Sequence, residues 1–331
     1  MDLFALTRKL IDIPSLTGEE DAVGVFLKSY LESLDYSVEL QEVEKGRSNV
    51  FATIGVSPRI ALSTHMDTVP PYIASREDDD YVYGRGACDA KGIIAAQIFA
   101  AERLRANGFN DIGLLFTVDE ELTSLGARLA NDFSLAKECR YLINGEPTDN
   151  RLATGTKGAL GVIVKASGRA AHSAYPEQGD SAIEKLLDVL ASIRACRWPT
   201  DPVFGETTCN IGVINGGTRP NVIPAEASAS LQIRLVTEAA AVKRILEEAV
   251  AGRATLEYTS AHNPVRLNSV EGFEECVVRF TTDIPYLTNW GKPLLLGPGS
   301  ILDAHTDYER VAKSELLNAV ELYVKLVEAL R

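Results

Sequence analysis

Between residues 37 and 146, short apolar runs alternate with helical stretches, and the runs end in side chains able to hold a proton or a metal. Arg59-Ile-Ala-Leu-Ser-Thr64 leads into His65, Asp111-Ile-Gly-Leu-Leu-Phe-Thr-Val118 into Asp119-Glu-Glu121, and Tyr141-Leu-Ile143 into Asn144-Gly-Glu146. Apolar runs of this length read as strands buried on both faces. Lys91–Asn107, rich in small residues and stopped by Gly108, supplies a helix between two of them. The pattern predicts an α/β fold, a mostly parallel sheet with helices on both faces. In such sheets the chemistry gathers at the carboxyl ends of the strands.

The remaining chain is read in order. Leu3, Leu6, Leu10 and Ile11 recur at helical spacing until Pro14. Thr17-Gly-Glu-Glu20 reads as a capping box opening a helix from Glu19 to about Leu34. Tyr36–Val43 and Asn49–Ile54 are expected strands, Tyr81–Gly86 a short strand into a Gly-rich turn, and Ser124 the cap of a helix to Asn131. After Thr156-Lys-Gly158 the texture changes. Strand Leu160–Ala166, helix Gly179–Ile193, strands Thr208–Ile214 and Ala225–Leu235, helix Thr237–Ala251 and strand Ala254–Thr259 give the order βαββαβ. That is a self-contained, ferredoxin-like α+β unit, read as an insertion with Asn263-Pro-Val-Arg266 as its return linker. The first domain is then expected to resume with a helix near Glu271–Thr281, a strand at Pro293–Leu296 and a final helix from about Asp307.

A chain of 331 residues suits two domains. Lys and Arg number 33 against 46 Asp and Glu, a net charge of −13, which argues against a nucleic-acid partner. Five scattered cysteines with no CxxC pair suggest a reduced, intracellular protein. The N-terminus reads as an amphipathic helix and not a signal peptide, and no apolar run reaches membrane-spanning length. A cytoplasmic protein without a membrane partner is the expectation.

Five polar sites now stand out: His65, Asp89 after the Gly-rich turn, the pair Glu120-Glu121, Glu146, and His305 ahead of the last helix. This is the donor inventory of a zinc site. Two ions about 3.5–4 Å apart can be held if one carboxylate bridges them. Asp89 is the natural bridge, with His65 and Glu146 for one ion and Glu121 and His305 for the other. Glu120 is then left unligated, able to take a proton from water and return it to a leaving amine. Asp67, two residues past His65, is the expected partner of the imidazole's other nitrogen.

His65-Met-Asp67, Gly84-Arg-Gly-Ala-Cys-Asp89-Ala-Lys-Gly92, Asp119-Glu-Glu121, Gly145-Glu-Pro147, Ala171-His-Ser-Ala-Tyr-Pro176, Asn221-Val-Ile-Pro224 and Ala304-His305 span nearly the whole chain. Together they resemble the M20 metallopeptidase family of acetylornithine deacetylases, succinyl-diaminopimelate desuccinylases, aminoacylases and carboxypeptidases. Ala90 stands where the family often has Met, which changes no ligand. The resemblance implies two zinc ions in the ligand set above, with cobalt or manganese suited to the same donors. It implies Glu120 as general acid/base, a catalytic domain of residues 1–157 and 266–331, and a dimerisation domain of residues 158–265 that makes a homodimer. It also implies that His172 assists the developing oxyanion, a role filled from the partner subunit in relatives, and that Asn221 and Arg234 hold the substrate. Arg219, before the Pro220-Asn221 turn, is a further candidate fork for a carboxylate.

Gly297-Pro-Gly-Ser300 resembles the acetylornithine deacetylase branch, which puts Gly299 on the substrate side. The expected reaction is hydrolysis of an N-acyl amino acid, with N2-acetylornithine ahead of N-succinyl-diaminopimelate and of dipeptide or carboxypeptidase substrates. A catalytically inactive binding scaffold is the alternative of another class, and the presence of every ligand and of Glu120 speaks against it. Lys91 is expected on a helix surface, Cys88 as a small buried residue and Asp78-Asp-Asp80 as a solvated loop.

Overall fold

The structure is a computed structural model that describes residues 1–55 and 57–331. The chain forms two compact units, one of Met1–Thr154, Leu267–Cys276 and Thr282–Arg331, the other of Gly155–Arg266 and Val277–Thr281.

The first unit begins with helices α1 (Leu3–Ile11) and α2 (Asp21–Glu32) and strands β1 (Ser37–Glu44), β2 (Arg47–Thr53), β3 (Ile60–His65), β4 (Arg76–Glu77) and β5 (Tyr81–Tyr83). Helix α3 (Lys91–Ala106), β6 (Ile112–Thr117), α4 (Leu125–Ala130) and β7 (Tyr141–Asn144) follow, and β8 (Leu152–Thr156) leads out. The second unit holds β9 (Gly158–Ser167), β10 (Ala171–His172), α5 (Ala182–Arg194), a small hairpin of β11 (Thr200–Asp201) and β12 (Gly205–Glu206), β13 (Thr208–Gly216), β14 (Val222–Ile223), β15 (Glu226–Leu235), α6 (Ala239–Val250) and β16 (Thr255–His262). The chain returns through β17 (Val265–Arg266) and β18 (Glu275–Val278) to β19 (Lys292–Leu295), β20 (Arg310–Ala312) and α7 (Lys313–Ala329).

The main sheet runs β1-β2-β6-β3-β7-β19. β3 is parallel to both β6 and β7, and β19 is parallel to β7, while β1 and β2 finish one edge antiparallel. Every residue of β3 and β6 is buried. Period-two alternation sorts these residues between two cores. Ile60 and Leu62, with Leu114 and Phe116, pack with residues of α1, α2, α3 and α7. Ala61, Leu115 and Phe51 point the other way, onto Ala127, Phe133 and Trp290. Truncating Trp290, whose Nε1 donates to the Ala130 carbonyl at 3.1 Å, would cost about 3–5 kcal/mol. Helix α3 is buried along most of its length, as a helix flanked on several sides must be. Its Gly92 leaves no room for a side chain, because an added Cβ would meet the Ala87 carbonyl oxygen at 2.2 Å.

In the second unit a four-stranded sheet, β13-β15-β9-β16, is antiparallel throughout. Ala227, Ala229, Leu231, Ile233 and Leu235 of β15 alternate into a core with Leu186 and Val189 of α5 and Val242 and Leu246 of α6. The intervening positions of β15 stay partly exposed, the texture of a sheet covered on one face.

Several sequence expectations give way. The helix expected near Glu271–Thr281 is strand β18, which lies beside β8. Gly272, at φ +87°, breaks a helical start, and Val277 and Val278 favour a strand. The last helix begins at Lys313 and not near Asp307, because Arg310–Ala312 pairs with β5. Thr17–Glu20 is no capping box: α2 starts at Asp21, and Glu20 spends its carboxylate on Arg47. Ser124 makes no capping bond. Lys91 is buried and not on a surface, its Nζ donating to the Ile13 carbonyl at 2.6 Å. Burial pulls that ammonium down to about 7.

Candidate metal centre

Because β3 and β6 are parallel and in register, His65 lies opposite Thr117, and the turn after β6 brings Glu120 and Glu121 to the same end of the sheet. His65 Nε2 is 3.0 Å from Asp89 Oδ1. His305 Nε2 is 3.2 Å from Asp89 Oδ2 and 2.9 Å from Glu121 Oε1. Asp89 therefore turns one oxygen toward each histidine. The donor atoms of His65, Asp89 and Glu121 all lie within 4.8 Å of one another. Glu146, buried just past β7, has an Oε1 with no hydrogen-bond partner among the described residues.

Charge is unbalanced here. Burial, aided by neighbouring carboxylates, lifts Glu121 and Glu146 above the ordinary carboxylate range. Burial and then the charge of Glu146 lift Glu120 well above it. Burial also acts on Asp89, but its bonds to His305 and His65 prevail and hold it low. His305 is raised to about 10 by its bonds to Asp89 and Glu121. His65 is raised too: burial opposes its charge, and the bonds to Asp67 and Asp89 outweigh burial. Two imidazoles are thus the nearest counterweight to a crowd of carboxylates. A bound dication would invert this, favouring neutral imidazoles and ionised carboxylates. Two nitrogen donors, three carboxylates, a two-sided Asp89 and an orphaned Glu146 oxygen fit a pair of divalent cations.

Asp67 organises the centre from behind. His65 Nδ1 lies 3.0 Å from the Asp67 carbonyl oxygen and 3.4 Å from its Oδ1, so the nearer partner is the backbone. The carboxylate accepts the N–H groups of Glu120 and Glu121 at 3.1 and 3.2 Å and the Thr17 hydroxyl at 2.9 Å. One buried group thereby orients the imidazole and the acidic pair. Asp119, at φ +70°, is held by Arg47 Nη2 at 2.7 Å and by the Thr123 hydroxyl. The same guanidinium forks Glu20 at 2.7 and 2.8 Å and reaches Glu44 at 2.7 Å. Asp283 accepts the Thr117 hydroxyl at 2.7 Å, has an Oδ1 with no hydrogen-bond partner among the described residues, and is pushed up to about 6 by burial. Sequence reading missed Glu20, Arg47 and Asp283: Arg47 meets Glu20 across 27 residues and Asp119 across 72, and Asp283 meets Thr117 across 166.

Gly299 packs on Cys88: a Cβ there would meet the Cys88 Cβ at 2.5 Å, and its φ is +86°. Gly297 leaves similar room for the Glu146 carbonyl oxygen, 2.5 Å from an added Cβ. Packing against the Cys88-Asp89 and Glu146 segments thus explains both glycines without a substrate. Cys88 is buried, and all five cysteines are free.

In the second unit, His172 pairs with Val222, the Ser173 N–H donates to the Asn221 carbonyl at 3.0 Å, and the Val222 N–H donates to that of Arg219 at 3.1 Å. These three residues are exposed and gathered on one turn. His172 Nδ1 accepts the Ala174 N–H at 3.1 Å, which leaves the neutral ring's proton on Nε2. Arg234 is elsewhere, near the far end of β15 opposite Thr208 and Ala159, where burial lowers its pKa.

A family model described as a peptidase dimerisation domain matches residues 154–258. An M20 domain-containing peptidase of Schizosaccharomyces pombe is 37% identical over 98% of this chain and 84% of its own. A probable carboxypeptidase of Aspergillus terreus is 39% identical over 97% of this chain and 85% of its own. Among solved structures, a Staphylococcus aureus tripeptidase superposes with a TM-score of 0.82 at 22% identity, over 99% of this chain and 98% of that one, a likeness of fold. With the His–carboxylate cluster at the strand ends and relatives of this identity over almost its full length, the chain belongs to the M20 peptidase family, hydrolases of amide bonds.

Proposed function

We propose that this protein is a metal-dependent exopeptidase of carboxypeptidase type, with His65, Asp89, Glu121, Glu146 and His305 holding two divalent cations, zinc being the leading choice. The observation that carries the reading is Asp89 turned between His65 and His305. When bound, such ions acidify water and polarise the scissile carbonyl. Glu120 takes the proton of the attacking water and returns it to the leaving amine. Asp67 keeps Glu120 and His65 in their mutual orientation. His172 presents its Nε2–H to the developing oxyanion, and Arg219, Asn221 and Arg234 are the candidates for the substrate's carboxylate and carbonyl groups.

A peptide fits better than N2-acetylornithine. The Gly297–Gly299 resemblance to the deacetylase branch is accounted for by packing. Leu122, Leu302 and Tyr308 are 74%, 82% and 80% exposed, beside Glu121 and on either side of His305. Exposed apolar side chains in the same segments as two of the proposed ligands suit apolar peptide side chains more than a charged ornithine tail. The second unit is the candidate dimerisation module, and its edge strand β13 exposes Val213 and Ile214 to a second copy of the chain.

The deciding experiment is a side-by-side assay of the metal-loaded protein. Its substrates are N-blocked dipeptides ending in Leu, Lys or Asp, the C-terminally amidated Leu peptide, N2-acetylornithine and N-succinyl-diaminopimelate. Release of free Leu that amidation abolishes supports the carboxypeptidase. Faster release from N2-acetylornithine overturns it in favour of the deacetylase.

A further inference from the structure

Glu309, four residues past His305, is 1% exposed and paired with Arg85, which is 2% exposed. Arg85 Nη1 donates to Glu309 Oε2 at 2.6 Å and to the Thr306 carbonyl at 3.2 Å, and its Nε donates to the Pro71 carbonyl at 3.3 Å. The other carboxylate oxygen accepts three backbone N–H groups, those of Gly86 at 2.9 Å, Cys88 at 3.2 Å and Asp89 at 3.2 Å. The Glu309 carbonyl in turn accepts the Gly84 N–H at 3.0 Å. Residue 309 thus grips the 84–89 loop with both backbone and side chain, and Arg85 reaches back to the residue after His305.

A buried ion pair is seldom more stabilising than apolar side chains of the same volume. Stability alone is therefore a poor reason for one here, whereas a nest of N–H groups closed on a carboxylate fixes backbone position tightly. The loop so fixed ends in Asp89. We infer that Glu309 is a positioning residue for the metal centre. It sets Asp89 so that one oxygen faces His65 and the other His305, and it fastens the His305 segment to the Asp89 loop so that the two histidines keep their separation. The inference rests on Asp89 being the shared ligand.

The test uses the full chain, metal-free, as wild type, E309Q, the charge-neutral pair E309Q/R85Q, and D89N. Each is titrated with Co(II), reading the binding heat and the visible d–d absorption, alongside thermal unfolding of the metal-free protein. The paired variant orphans no buried charge, so its metal-free form is expected to unfold within about 5 °C of wild type. Both Glu309 variants are expected to bind Co(II) at least about ten-fold more weakly and with a changed visible spectrum, the range seen for groups behind metal ligands. D89N is expected to lose Co(II) binding far more completely. Wild-type Co(II) affinity in D89N would overturn the ligand reading itself. Loss in D89N, with wild-type affinity and spectrum in a folded E309Q/R85Q, would reduce Glu309 to a structural anchor and overturn this inference alone.

Discussion

In the first unit the residues facing the candidate centre are fastened by other buried groups: His65 and the Glu120-Glu121 backbone by Asp67, Asp89 by Glu309, Asp119 by Arg47. In the second unit His172, Asn221 and Arg219 stand exposed on a turn closed by a pair of two-residue strands. The buried set cannot shift without leaving a charge unpaired, so it has one geometry. The exposed set answers to a loop and can adjust to what it meets. Chemistry and selectivity would accordingly fail in different ways when each is disturbed.

The sharpest contrast is expected from Glu120→Gln. It should lower kcat by about 10²–10⁴-fold while leaving metal content, measured by elemental analysis, unchanged. Turnover near wild type would remove Glu120 from the chemistry. His172→Ala should cost about 10²–10³-fold in kcat without touching metal content. Mixing these two inactive proteins after subunit exchange should restore some activity if His172 serves a partner's site, and none if it serves its own. Asp67→Asn replaces one acceptor with a donor facing Thr17 and the Glu120-Glu121 backbone, and is expected to weaken metal binding by about 10–100-fold. An effect below two-fold would break the picture of the first unit as rigidly over-determined.

A gentler probe is pH. His305 rises from an ordinary value of 6.5 to about 10 in the metal-free protein. A raised histidine stabilises fully below the unfolded value, and that contribution is lost as pH rises through about 10. Metal must displace the proton, so calorimetry at pH 7 in buffers of different ionisation heat should show proton release that fades as pH approaches 10, with affinity rising across that window. No proton release at pH 7 would contradict the assigned ligands. The smallest effect on chemistry is expected from Ile214→Lys at the exposed edge of β13. It should shift sedimentation from dimer toward monomer with little change in metal affinity, and an unaltered dimer would move the interface off this edge.

Several donors of the candidate centre were legible because they fall at the ends of apolar runs, where the fold brings them to one end of the sheet: His65 closes β3, and Glu121 and Glu146 follow β6 and β7. The identities of the elements at Ile60–His65, Lys91–Ala106 and Glu226–Leu235 followed from a bounded apolar run, a small-residue-rich stretch stopped by Gly108, and strict alternation, respectively. Glu275–Val278 and Arg310–Ala312 were illegible, because such short strands exist through their partners β8 and β5 and not through local preference. The supports stayed hidden for a related reason. Arg47 finds Glu20 and Asp119 in space, and Glu309 finds Arg85 across 224 residues. Lys91 looked like a surface residue because a buried ammonium is rare, and the carbonyl it donates to lies 78 residues away.

Arg47 has a practical consequence for anyone seeking a smaller catalyst. Its guanidinium ties Glu20, at the start of α2, to Asp119, the residue that opens the acidic turn. The opening helices are therefore a working brace for that turn and not a dispensable leader. Trimming the chain from its amino end past Glu20 would remove the fork that grips Arg47 from one side and leave that buried guanidinium to Asp119 and the exposed Glu44, and the shortened protein would be a poor starting point for engineering even if its sheet still formed.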